Sequence, residues 1–340
     1  MKCLMKNLSE MEGKGEFNVF HIMFALSLDN ILSIMNLEAN IQDLNNKDRL
    51  IHIKNMKIWA QTKIIRSLFW WLYPDIIFNY TKLGKNQIKA MSEINKNFIS
   101  KIIDQNYLVE NYEKPKTFVQ ALIDPKNKLT KNEISDEIFC LMIAAQDSSA
   151  VTGSTVLLML AMHRNIQEKV VDELKEIIGK SKDFYLDIEQ LNELKYLEMV
   201  ICEVLRLFPV APFNIRSNDN EIISTEGYII PVNSNLFINF FDVHHDTSIW
   251  GYDADKFKPE RFEQESFRKI HPYAFVPFSK GKRMCLGYRY AILFIKMQIA
   301  NVLLKYEINT SLKYENINYK IGITLVIQQG YKISLKKRKK

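Results

Sequence analysis

The stretch Phe278-Ser-Lys-Gly-Lys-Arg-Met-Cys-Leu-Gly287 sets one cysteine between two glycines, with Lys280, Lys282 and Arg283 close by. Glycines let the backbone turn tightly and approach a flat partner closely. Amide N–H groups in such a loop, with a helix N-terminus directly after it, stabilise negative charge on sulfur. Sulfur held this way is a ligand for iron or another soft metal. The bland alternative is a structural cysteine in a glycine turn. A second group is Ala144-Ala-Gln-Asp-Ser-Ser149, where an acid and two hydroxyls stand in the middle of a long apolar run. Ala145 and Ser148, three apart, share a helix face and leave room there for a ligand. The alternative is a small-residue patch for helix packing. A third group, Glu203-Val-Leu-Arg206, puts a carboxylate and a guanidinium on one helix face.

Mostly helices must carry these groups. Apolar residues recur at three- and four-residue spacing over 17–37, 85–105, 133–162, 163–178 and 190–207. Thr130, with Glu133 three residues later, marks a helix start. The helix from there to Met162 runs about 45 Å and must cross the body of the protein. Pro115 and Asp124-Pro125 mark loops. After Pro209 the texture changes. Glu226-Gly-Tyr-Ile-Ile-Pro-Val and Asn235-Leu-Phe-Ile-Asn-Phe read as short strands, 242–284 as mostly irregular chain, and a helix resumes near Gly287. Strand signals return over 320–332. The expected class is mainly α with a small β part.

The 340 residues are 47% hydrophobic and 25% charged, enough for a substantial core. No internal repeat, low-complexity run or linker rich in Pro, Gly or Ser divides them. The net charge of +7 is mild, and the last five residues, 336–340, read as a solvated basic tail. No nucleic-acid module is recognisable. Cys3, Cys140, Cys202 and Cys285 lie far apart, which excludes a disulfide scaffold and points to a reducing compartment. Cys140 and Cys202, in apolar helical runs, read as small core residues. Residues 17–37 are apolar, but His21 and Asp29 interrupt them, so a buried helix is expected rather than a membrane span. The aromatic cluster from Arg66 to Phe78 suits either a membrane boundary or the core.

The cysteine loop resembles the haem-binding signature of the cytochrome P450 family, Phe-x-x-Gly-x-Arg-x-Cys-x-Gly. Phe278, Gly281, Arg283, Cys285 and Gly287 match all five fixed positions. The segment around Asp147 resembles the family's oxygen-activation motif, with Ala145 in place of the usual glycine and Ser148 in place of threonine; the resemblance implies proton delivery by Asp147 and Ser148. Glu203 and Arg206, followed by Leu207-Phe-Pro209, resemble the Glu-x-x-Arg motif. Pro259-Glu-Arg-Phe262 resembles its partner, so Arg261 is expected to join Glu203 and Arg206 in a buried charge network. Arg216 and Arg283 fall where the family contacts haem propionates. His244-His-Asp-Thr is similar to the family's His-Arg-Asp-Pro turn and is read as structural. Gly15-Glu-Phe-Asn-Val and the segment from Arg66 to Gly84 are similar to an insect-type branch near the fatty-acid hydroxylases. Ala144 stands where some members carry a glutamate that attaches haem covalently.

The resemblance implies the cytochrome P450 fold over 1–335 and haem b with Cys285 as axial ligand to iron. It also implies insertion of one oxygen atom from O2 into an apolar small molecule. Electrons would come from NADPH through a reductase, docked on the basic face of Lys280, Lys282, Arg289 and Lys296 near the cysteine. The cytosolic face of the endoplasmic reticulum membrane, with peripheral membrane contact, is the implied location. Residue 1 falls inside the family's domain, and no tryptophan here precedes an arginine at the Trp-x-x-x-Arg spacing. An N-terminally truncated enzyme is therefore expected, with an inactive remnant as the alternative. A basic interaction module acting through the terminal Lys/Arg run is a third reading.

Overall fold

The computed structural model describes every residue except 44–45, 108–116, 180–185, 323 and 339–340. The chain divides into two compact units, Met1–Val151 and Thr152–Lys340, with the boundary inside one long helix. The first unit is helical. It contains α1 (Lys2–Met11), a short strand β1 (Phe17–Asn18), α2 (Phe20–Ile34), α3 (Lys47–Leu68), α4 (Asp75–Tyr80), α5 (Lys82–Ile94), α6 (Ser100–Tyr107), α7 (Phe118–Ile123) and most of α8 (Lys131–Met162). Residues Asn95–Ile99 join α5 to α6 as one π-helical stretch. The apolar faces of α2, α6, α7 and α8 meet over Leu28, Ile31, Leu32, Phe98, Ile102, Val119, Ile138 and Met142, all buried. α2 is buried almost all round, as its unbroken apolar pattern requires. Thr130 and Glu133 form the expected cap at the start of α8. The Glu133 carboxylate accepts from Thr130 N at 2.7 Å, and Thr130 Oγ1 accepts from Glu133 N at 3.3 Å. The loop expected at Pro115 lies outside the described residues.

Of the two readings open for the aromatic cluster, core packing holds for Phe78, which is buried, and not for the rest: Trp70 is 74% and Ile76 78% exposed, and Leu68, Trp71, Tyr73 and Tyr80 are exposed too. Arg66 holds the turn rigid from beneath, donating to Leu72 O, Tyr73 O and Asp75 and lying over the Phe78 ring. One expectation fails in this unit: Cys140 is not a core residue but faces outward from α8. The α4–α5 junction depends on Gly84, because a Cβ there would run into the backbone oxygen of Phe78. Backbone cannot yield as a side-chain tip does. Gly84→Ala is therefore expected to cost about 1–3 kcal/mol, read as a lower thermal midpoint.

The second unit continues α8 and adds α9 (Arg164–Ile178), α10 (Ile188–Glu193), α11 (Lys195–Leu207), β2 (Phe213–Ser217), β3 (Ile222–Ile223), β4 (Ile229–Ile230), β5 (Asn235–Asn239), α12 (Phe240–His245), α13 (Thr247–Trp250), α14 (Gln264–Phe267), α15 (Tyr288–Lys305), β6 (Tyr306–Asn309), β7 (Tyr319–Ile321), β8 (Leu325–Ile327) and β9 (Lys332–Lys337). Its strands pair antiparallel as β2–β5, β3–β4, β6–β9 and β7–β8; Ile215, for example, faces Phe237. The run at 190–207 is two helices. Asp187 and Gln190 cap α10 reciprocally, and Glu173 of α9 accepts from Tyr196 N and Leu197 N to cap α11. The basic end is not a free tail over its described part. Lys336 and Lys337 belong to β9, opposite Glu307 and Tyr306, and Arg338 pairs with Glu168 at 2.9 Å. Residues 339–340 lie outside the described residues.

Candidate functional site

The cysteine loop is drawn closed by its own backbone. Cys285 N donates to Phe278 O at 2.9 Å, Met284 N to Gly281 O at 3.1 Å and Ser279 N to Val276 O at 2.9 Å. Ser279 (φ 58°) and Gly281 (φ 80°) take the left-handed conformation that this tight path needs. Gly281–Arg283 is one 3₁₀ turn, and Gly287 is the N-cap of α15 with no side chain capping the helix. The sulfur is exposed, flanked by exposed Met284 and by Leu286 at 86% exposure. Among the described residues no three His, Cys, Asp or Glu side chains group to hold a metal ion.

Glu203, Arg206 and Arg261 are brought together behind the loop. Glu203 and Arg206 on α11 are both 0% exposed. Arg206 donates twice to the Glu203 carboxylate, from Nε at 2.7 Å and NH2 at 2.8 Å, and from NH1 to His244 O at 2.7 Å. Lys258 N donates to Glu203 Oε1 at 2.9 Å. Arg261 Nε lies 3.5 Å from that oxygen, an ion pair longer than a hydrogen bond, while its NH2 meets Asp253 Oδ1 at 2.6 Å. Burial pushes the Glu203 carboxyl up, opposed by Arg206, the Lys258 amide and Arg261. That donor set is what an ionised carboxylate requires in a buried place. Trp250 stacks under the Arg206 guanidinium at 5.0 Å and packs with Ala254, Ala274, Phe262 and Phe275.

His244 links this network to the loop. Its Nε2 accepts from Val276 N at 3.0 Å, and its carbonyl accepts from Arg206. Burial, and then the neighbouring charges of His245 and Arg206, push the imidazole down to about 4. The ring is therefore neutral near pH 7, with Nε2 free to accept. His244 thus ties the His-His-Asp-Thr turn to the loop, a link that nothing in the sequence marks, since Val276 carries no sign of being its partner.

In the first unit, Ala144, Ala145, Asp147 and Ser148 lie on the less buried faces of α8, while Gln146, Ser149 and Ala150 are buried. The Ser148 hydroxyl donates to Ala144 O at 2.6 Å. Such a back-bond competes with the helix ladder and loosens the turn. His52 of α3, which sequence reasoning did not single out, lies with Nε2 2.9 Å from Gln146 Oε1.

The propionate candidates are differently placed. Arg283 is exposed on the loop; Arg216 on β2 is half-buried, its NH1 donating to Asn214 Oδ1 at 2.6 Å. Neither forms an ion pair among the described residues. The expected basic face needs one correction. Lys280, Lys282 and Arg289 are exposed, but Lys296 is buried in α15, bonded to Glu198 Oε2 at 2.7 Å and Leu191 O at 3.0 Å. Its position on the inner side of α15 removes it from the face. Cys202, half-buried beside this pair, has its thiol pushed up to about 12, first by burial and then by Glu198.

A thiol loop tied to a buried Glu-x-x-Arg pair, on a mainly helical chain with small antiparallel sheets, agrees with the resemblance to haem-thiolate proteins. The family model described as Cytochrome P450 matches residues 1–335, and this chain belongs to that family. It is 31% identical over 305 residues to "Probable cytochrome P450 313a2" of Drosophila melanogaster, covering 88% of this chain and 60% of that protein. It is similarly 31% identical over 284 residues to "Probable cytochrome P450 4ac2" of the same fly, covering 81% and 55%. An insect branch of the family is therefore the right neighbourhood. The chain spans about three-fifths or less of the length of these relatives.

Proposed function

We propose that this chain is the haem-thiolate part of a monooxygenase that inserts one oxygen atom of O2 into an apolar small molecule, using NADPH electrons relayed by a reductase. The exposed Cys285 sulfur, in a loop fixed by the buried Glu203–Arg206 pair, is the observation that carries this reading. The residues present suit haem b. Soft sulfur suits iron, exposed Met284 and Leu286 suit an apolar ring, and Arg283 and Arg216 suit the two acidic arms. Phe278, Gly281 and Gly287 would shape the loop against it, and Ala145 would leave room. Bound haem supplies the dioxygen chemistry, which no side chain here can perform. The chain's own groups do the positioning. Asp147 and Ser148 would hold and pass protons, with the Ser148 hydroxyl parked on Ala144 O until it is needed. The role of Glu203, Arg206 and Arg261 is structural: they hold the loop through His244 and Val276.

Lys280, Lys282 and Arg289 offer an acidic reductase a complementary surface. The exposed Trp70, Trp71, Tyr73 and Tyr80 suit a membrane–water boundary, and support peripheral contact with the endoplasmic reticulum membrane. No helix among the described residues is long and apolar enough to cross a membrane.

Titrating the purified chain with haemin tests the reading. The parent should saturate at one haem per chain, and Cys285→Ala should take up far less. Equal uptake and an identical Soret band in the two proteins would contradict it.

A further inference from the structure

We infer that His52 and Gln146 form a positioning pair that sets the rotation of the α8 turn carrying Asp147 and Ser148. The inference rests on the haem-thiolate reading and adds to it a residue from α3, 94 positions away in sequence. His52 is 1% exposed and Gln146 0%. The His52 ring is clamped between elements: Phe98 meets it edge-on at 5.1 Å and Phe24 lies at 6.3 Å. A ring held this way has one orientation. Burial pushes it down to about 4, so it is neutral at pH 7, and with its proton on Nε2 it donates to the Gln146 amide oxygen. Among the described residues, that bond is the one polar restraint on either side chain. His52 Nδ1 and Gln146 Nε2 are both buried without a hydrogen-bond partner among the described residues.

Two buried polar groups with half their bonding capacity unused are expensive in a core. Leucine at 146 and phenylalanine at 52 would pack there without that cost. What the polar pair supplies and an apolar pair cannot is direction. Successive residues on α8 turn by about 100°, so Gln146 points nearly opposite to Ser148. Fixing the Gln146 end therefore fixes where the Ser148 hydroxyl and the Asp147 carboxylate point. The turn needs such an anchor, because Ser148 takes Ala144 O and weakens the local ladder. A packed leucine would let the turn rotate by small amounts at little energetic cost.

The infrared band of carbon monoxide bound to the reduced haem-loaded chain tests this, since its frequency reports the polar groups around the bound gas. His52→Phe and Gln146→Leu should displace or split the band and leave the thiolate Soret position unchanged. His52→Gln, which keeps a donor for Gln146, should restore the parent's single band. The double variant His52→Phe/Gln146→Leu leaves neither polar group stranded, so it should fold even if a single variant does not, and should still show the displaced band. A parent-like band in His52→Phe or in the double variant would overturn the inference while sparing the haem-thiolate reading. A parent without a thiolate Soret band would overturn both.

Discussion

Arg206→Met should unfold the second unit more readily than any surface substitution, at a cost on the order of 3–5 kcal/mol. The side chain sits at 0% exposure and gives hydrogen bonds to Glu203, to His244 O and to Lys256 O. Methionine fills most of the volume but donates nothing. Glu203 would then keep only the Lys258 amide and the distant Arg261, and the buried His244 carbonyl would lose its donor. Removing both charges should be milder than removing one, because no ion is then left unpaired. Glu203→Leu/Arg206→Met is thus expected to lie closer to the parent than Arg206→Met in urea unfolding followed by circular dichroism. If Arg206→Met unfolds at the parent's midpoint, the network does not hold the loop.

Acid should weaken the fold steeply between pH 6.5 and 4. His52 and His244 both fall from an ordinary value of 6.5 to about 4 when buried. Their folded affinity for protons is lower than their unfolded one. Between those values the unfolded chain binds more protons, so stability rises with pH through the window and is fully present above it. Each histidine accounts for about 3 kcal/mol over that range. Unfolding midpoints at pH 7 and pH 4.5 measure this loss together with the smaller ones from His21, His163 and His245, whose burial also lowers their proton affinity. His52→Gln should shrink the pH 7 to pH 4.5 difference by the share of that one ring. An unchanged midpoint across the window would show that neither ring is buried neutral.

The cysteine loop and the Glu203–Arg206 pair were legible because their spacing is local: a turn needs its glycines and a helix face needs its three-residue step. α2, α8 and α15 were legible for the same reason, since their apolar residues repeat. α3 was missed although it is a 22-residue helix. Its buried stripe is Arg49, His52, Asn55, Met56 and Thr62, at helical spacing but mostly polar, so an apolar pattern does not show it. The break at Leu194 was missed because the cap of α11 comes from Glu173, on another helix. Cys140 and Lys296 were misplaced for one reason. Residue type suggests a face, but only packing decides which face of α8 or α15 turns inward. The 336–337 strand was hidden by its lysines, whose pairing with 306–307 joins segments about thirty residues apart.

Ligation of haem iron by the Cys285 sulfur is most directly tested by the difference spectrum of the reduced, haem-loaded chain with and without carbon monoxide. A strongly red-shifted Soret band in the parent, absent from Cys285→Ala, is the predicted result. A band at the ordinary position of histidine-ligated haem, or the same spectrum from both proteins, would contradict it.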